Sequence, residues 1–232
     1  MKKKLLIVAL ASAFAPVMVH AEAGDWVLRG RVVSVSPNEA SDLGKTVNKN
    51  VGGGTTVMSP GAELAVDSNV IPEFDISYYV TKNIAAELIL AIGTRHDVSV
   101  KGDSLATVGN QNLGSVNVLP PTLTLQWHFN PDQTFDPYVG AGINYSAMLD
   151  RNLKFESGAL AGTKIKVEND SWGYALQAGF DINLKDGWLI NADVKYIAMD
   201  TDVKAKIAGS WTKIDSLDID PWVFGIGIGK KF

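Results

Sequence analysis

From Trp222 to Phe232 large apolar residues alternate with small ones: Trp222, Phe224, Ile226, Ile228 and Phe232 share one parity, and Val223, Gly225, Gly227 and Gly229 the other. Period-2 alternation places one set on each face of a β-strand. A soluble sheet would turn polar side chains to water on the second face. Glycines there point instead to a crowded interior behind an apolar exterior. The same alternation recurs upstream. Trp26, Leu28 and Val32 oppose Val27, Arg29 and Arg31, and Val70 to Tyr78 oppose Ile71, Glu73, Asp75 and Ser77. Ile84 to Ile92 oppose Glu87, Ile89 and Arg95, and Leu119 to Phe129 oppose Thr122, Thr124, Gln126 and His128. Val139 to Tyr145 oppose Tyr138 and two glycines. Trp172 to Ile182 oppose Gln177, Asp181 and Asn183, and Trp188 to Tyr196 oppose Asn191, Asp193 and Lys195. These are eight segments of about ten residues, the length a tilted strand needs to cross a bilayer. An even number closes as an antiparallel barrel without free edges.

The connections support this all-β, eight-stranded transmembrane barrel of the bacterial outer membrane. Short turns at 81–83, 130–134 and 185–187 alternate with long polar stretches at 37–68, 97–115, 150–169 and 200–215, as expected of periplasmic turns and outer loops. Trp26, Tyr78, Trp127, Trp172, Trp188 and Trp222 stand near strand ends, where aromatic girdles meet the membrane interfaces. No apolar run after residue 21 is long enough for a membrane helix.

The start of the chain refines the arithmetic. Lys2 to Lys4, an apolar run from Leu5 to Val19, and Val19-His20-Ala21 form a signal peptide over residues 1–21 that is expected to be removed, leaving 22–232 as one barrel domain. The remaining 18 basic and 25 acidic residues give a net charge of −7, which disfavours nucleic acid as a partner. With no cysteine, the exported chain cannot rely on disulfides. Only His96 and His128 remain after cleavage, so a histidine-rich metal site is excluded, and no cofactor motif is present.

Four stretches carry a family resemblance: Leu119-Pro120-Pro121-Thr122-Leu123, Pro137 to Tyr145, Asp170-Ser171-Trp172-Gly173 and Asp220-Pro221-Trp222-Val223. In this order they resemble the outer-membrane protein W family, and the likeness spans essentially the mature chain outside its loops. The resemblance implies an eight-stranded barrel admitting small hydrophobic molecules, with relatives associated with alkane and aromatic hydrocarbon uptake. It also implies that the terminal Phe232 is read by the outer-membrane assembly machinery. Two positions depart from the family: Lys230 stands where relatives usually place an aromatic, and Lys195 occupies an inward site that is aromatic in the best-known members.

Parity and chain direction sort the inward residues by height. With the N-terminus and short turns periplasmic, the lower lumen holds Arg29, Arg31, Glu73, Asp75, Glu87, Gln126, His128, Asp181, Asp193 and Lys195. Opposite charges confined in so narrow a space must pair, and they are expected to form a plug. Above them Val33, Val35, Ile71, Ile89, Ala91, Met148, Ile197, Met199, Ile219 and Val223 form an apolar funnel, of which Val33, Ile71, Ile89, Met148, Ile197, Met199 and Val223 are the expected substrate path. A solute stopped by the plug must leave sideways, and Pro120 and Pro121, which lack N–H groups, mark the expected opening in the wall or a bend in the strand.

The chain thus reads as a porin-like, passive channel for small hydrophobic solutes, with outer-membrane lipids around it. Two alternatives stand beside it. One is a closed structural or adhesive barrel acting through its loops. The other is a lipid-modifying barrel enzyme, for which His96 near Asp97 and Ser99, placed at a strand end in solvent, and His128 at the charged floor form no convincing triad.

Overall fold

The computed structural model describes residues 22–105, 107–151 and 153–232; the expected signal peptide at 1–21 lies outside them. In chain order the elements are β1 (Trp26–Ser36), α1 (Leu43–Asn50), β2 (Glu63–Val66), β3 (Asn69–Tyr79), β4 (Ile84–Ala91), β5 (Thr94–Lys101), β6 (Gln111–Leu119), β7 (Thr122–His128) and β8 (Phe135–Arg151). They continue as β9 (Leu153–Lys154), β10 (Lys164–Val167), β11 (Asp170–Asn183), β12 (Trp188–Ile197), β13 (Asp200–Ile207), β14 (Ser210–Asp218) and β15 (Trp222–Lys231), with single 3-10 turns at Gly158–Leu160 and Lys185–Gly187.

Eight of these strands close a barrel in the order β1, β3, β4, β7, β8, β11, β12, β15, each antiparallel to the next. β15 returns to β1 with Arg29 opposite Gly229 and Val33 opposite Gly225. These are the eight alternating segments of the sequence. Their apolar parity faces outward, with Leu125, Ile143, Ile226 and Ile228 all more than half exposed. Such a belt is stable only against lipid. The glycine parity of β15 faces inward, and it is crowded. A Cβ at Gly227 would stand 2.1 Å from the Gly30 carbonyl oxygen and 2.9 Å from Arg31 Cγ. One at Gly225 would stand 2.7 Å from Asp193 Oδ1. The bare strand makes room for the long side chains of β1.

The four stretches expected as polar connections are ordered instead. β2, β5 and β6 extend the wall beyond the barrel: Leu64 pairs with Val100, His96 with Val116, and Val118 with Met148 on the lengthened β8. A second sheet runs β14-β13-β10-β9, with Val203 opposite Val167 and Ile165 opposite Leu153. Leu43 and Val47 of α1, Met58, Phe155, Ile214 and Leu217 close an apolar core inside this crown. The stretches contain enough inward-facing apolar residues to bury a core of their own, and their water-facing side chains make them polar on average.

The crown is tied down by carboxylates. Asp215 accepts from Ser41 Oγ at 2.5 Å and from the Asp42 N–H at 3.0 Å. Burial pushes the Asp215 carboxyl up from its ordinary value despite these bonds.

Parity slips once. Gly93, at φ +77°, separates β4 from β5, so Thr94 and His96 face inward while Arg95 is exposed. The expectation that Arg95 points inward is therefore corrected: a left-handed glycine turned the strand by one residue. The expectation of a solvated His96 is corrected with it, since this ring is buried within β5.

Candidate functional site: the barrel lumen

The strands carry their inward charges to one level. Arg29 and Arg31 sit two residues apart on β1, opposite Asp75 and Glu73 of β3. Glu87 lies on β4, Asp181 on β11, and Asp193 and Lys195 on β12. All eight are buried. Arg29 Nη2 meets Asp181 Oδ2 at 2.6 Å, and Nη1 donates to Ser77 Oγ at 2.6 Å and reaches Glu87 Oε1 at 3.2 Å. Arg31 is the hub. Its Nη1 contacts Glu73 Oε1 at 3.2 Å and Asp193 Oδ2 at 3.0 Å, its Nη2 contacts Glu87 Oε1 at 3.2 Å, and its Nε stands 3.2 Å from Asp75 Oδ2. Lys195 Nζ completes the set at 2.7 Å from Glu73 Oε1 and 3.2 Å from Asp193 Oδ2.

Neutral amides join these charges. Gln126 Nε2 donates to Glu87 Oε2 at 2.7 Å, Gln177 Nε2 to Glu87 Oε2 at 3.0 Å and Asp193 Oδ2 at 2.7 Å, and Asn191 Nδ2 to Asp181 Oδ1 at 2.7 Å. Sequence reasoning left Gln177 and Asn191 out of the plug because an amide carries no charge to signal a partner. At the short-turn end His128 Nδ1 lies 2.7 Å from Asp136 Oδ2, between the rings of Tyr79 and Tyr138. Val27, Ala85 and Leu189 pack with Tyr79 beneath.

Towards the crown the lining changes character. Val33, Ile71, Ile89, Met148, Ile197, Met199 and Val223, together with Val35, Ala91 and Ile219, line a cavity of about 100 Å³ whose base is Glu73 and Lys195. All seven residues named as substrate path lie on it. Its size is of the same order as an engineered apolar cavity of about 150 Å³ that stays dry and accepts benzene. Crown residues such as Leu64, Leu113, Ile165 and Leu217 continue the lining upward.

Pro120 also lines this cavity. Both prolines fall between β6 and β7, which run as one strand along β8: Leu119 pairs with Ala147, and Thr122 with Asn144. The other edge is different. The ladder from β4 stops at Ile89 opposite Thr122 and resumes on β5 at Thr94 opposite Val118. Between these points Leu90 to Gly93 and Leu119 to Pro121 share no ladder pair. Proline has no N–H to offer there, and Gly93 redirects the facing strand. The proline pair therefore coincides with a seam in the wall at the height of the cavity.

The OmpW family model matches residues 22–232. Outer membrane protein W of Vibrio cholerae is 37% identical over 228 residues, covering 98% of this chain and 97% of that relative. The crystal structure of the outer membrane protein OprG from Pseudomonas aeruginosa superposes with a TM-score of 0.74 at 31% identity, over 91% of this chain and 97% of that one. A third relative, the dibenzothiophene metabolism operon protein PahQ of Pseudomonas aeruginosa, is 26% identical over 177 residues, covering 75% of this chain and 76% of that relative.

Proposed function

The chain belongs to the OmpW family, and from that premise we propose that it passes small hydrophobic molecules passively across the outer membrane. The solute enters the apolar upper lumen from the crown side, halts above the charged floor, and leaves sideways through the seam at Pro120 and Pro121. One observation carries this reading: a cavity lined by apolar side chains rests on a fully ion-paired base and reaches the one place where the β4 edge loses its ladder. Each methylene entering such a lining gains about 0.8 kcal/mol over water. An ion or sugar gains nothing there and faces a floor whose charges are held in buried ion pairs. The name of PahQ, a relative from a dibenzothiophene metabolism operon, agrees with an apolar aromatic solute.

The charged floor serves as the plug, and Arg29, Arg31, Glu73, Asp75, Glu87, Asp181, Asp193 and Lys195 are its members. The partners are the solute, the surrounding outer-membrane lipids, and the assembly machinery that reads Phe232. Transport here is not catalysis. His96 hydrogen-bonds the Asp67 carbonyl at 2.8 Å, and Asp97 and Ser99 alternate onto the other face of β5.

The test pairs two variants. Ile89, 2% exposed, becomes aspartate, which puts an unpaired charge among the dry contacts. Separately, Pro120 and Pro121 become valine, which restores ladder donors at the seam. Uptake of a hydrocarbon should fall in both while heat-modifiable gel mobility reports a folded barrel. Undiminished uptake in both folded variants would favour a closed barrel acting through its loops.

A further inference from the structure

The inward face of β5 begins with Thr94 and His96 before turning apolar at Val98 and Val100. Thr94 is 4% exposed and lines the upper cavity, and its Oγ1 has no hydrogen-bond partner among the described residues. A buried hydroxyl left unpaired costs free energy, so this one marks a place where a partner belongs. His96 lines the same side. Its Nδ1 stands 2.8 Å from the Asp67 carbonyl oxygen, which only accepts, so Nδ1 carries the proton and Nε2 of the neutral ring is an acceptor. The other hydroxyls beside the seam are engaged. Thr122 Oγ1 donates to the Pro120 carbonyl at 3.1 Å and accepts from Asn144 Nδ2 at 2.8 Å, while Ser146 Oγ donates to Asn144 Oδ1 at 2.7 Å.

We propose that Thr94 and His96 form a subsite for a single polar group, so that the cavity prefers solutes with an apolar tail and one hydroxyl, alkanols in type, over bare hydrocarbons. This rests on the channel reading above and names its substrate class. Residues i and i+2 of a strand project side by side from one face, and one hydroxyl placed between these two polar tips accepts from Thr94 Oγ1 and donates to His96 Nε2. The tail then lies across the cavity against Ile71 and Ile197. Thr94 begins β5 at the upper edge of the seam, so the polar group is held beside the exit and the tail away from it. A bare hydrocarbon makes the same apolar contacts and leaves the hydroxyl unpaired.

The full barrel in lipid bilayers is titrated with 1-hexanol and with n-hexane, and binding is followed at the methyl groups of Met148 and Met199, which line the cavity. Thr94→Val keeps the shape and removes the hydroxyl; Thr94→Ser keeps the hydroxyl. Comparing variants at one aqueous concentration cancels the solutes' partition into lipid. Hexanol affinity should fall about fivefold in Thr94→Val, the worth of one neutral hydrogen bond, and recover in Thr94→Ser, with hexane affinity unchanged. Equal hexanol affinity in wild type and Thr94→Val, an equal loss for both solutes, or methyl signals unmoved by hexanol would each overturn the subsite. Liposome uptake separates the two claims. If both solutes enter without discrimination, the subsite fails and the channel stands; if hexanol binds through Thr94 and neither solute crosses, the channel fails and the subsite stands.

Discussion

Replacing Arg31 with alanine removes the cation that touches four buried carboxylates, and the consequences differ among them. Glu87 keeps Arg29 at 3.2 Å and two amide donors. Glu73 and Asp193 keep Lys195. Asp75 loses its one ion-pair partner within 4 Å among the described residues, and neither of its oxygens accepts a hydrogen bond. Removing one member of a buried pair costs about 3 to 5 kcal/mol because the other is left charged without compensation. Since three of the four acids retain partners, the cost should fall near the lower end, about 3 kcal/mol. Two cations then face five acids, so the floor should draw in water and cations. Urea unfolding should show the loss of stability, and planar bilayer recordings should show a leak whose reversal potential marks it as cation-selective. Adding Asp75→Asn to Arg31→Ala should recover most of both effects, because the stranded charge is gone. A wild-type midpoint and conductance in Arg31→Ala, or no recovery in the double variant, would refute this assignment of the hub.

Two further outcomes are expected. Deleting Phe232 should lower the amount of folded barrel in cells, seen as loss of the heat-modifiable band; its N–H and carbonyl pair with Trp26 at the closing seam, so normal folded amounts would show that neither the pairing nor the terminal aromatic is needed. At the crown, burial opposes ionisation of Asp103, but the N–H groups of Ser59, Gly109 and Leu105 outweigh it and hold the carboxyl below its ordinary range. The stability it lends is full above the unfolded value of about 3.9 and is lost as pH falls through the lower folded value. The protection of the Gly109 and Leu105 amides, measured against their intrinsic exchange rates, should therefore fall on strong acidification, and in Asp103→Asn it should be low already and insensitive to pH by this route.

The barrel was legible because lipid enforces the pattern. Every spanning strand must show an unbroken apolar parity outward, so a charge such as Arg31 or Glu87 at the opposite parity in mid-strand has only the lumen to face. The same logic sorted Val33 and Ile197 from Arg29 and Asp193 by height. It failed where water replaces lipid. In β10 and β13, Lys166 and Lys204 lie opposite each other on an exposed face, so the stretches looked like polar connections although Ile165 and Val203 alternate with them into a core. Gly93 hid Thr94 and His96 by shifting parity once. The proline pair was visible, but its effect depends on Leu90 to Gly93 across the seam, a pairing no single segment encodes.

Passive passage of apolar solutes is tested most directly by reconstituting the full barrel in liposomes and measuring entry of a small hydrocarbon and of a sugar of similar size, against protein-free vesicles. The hydrocarbon should enter faster with the barrel present and the sugar at the protein-free rate. Equal acceleration of both would contradict the plugged floor, and acceleration of neither would contradict the apolar path and its exit.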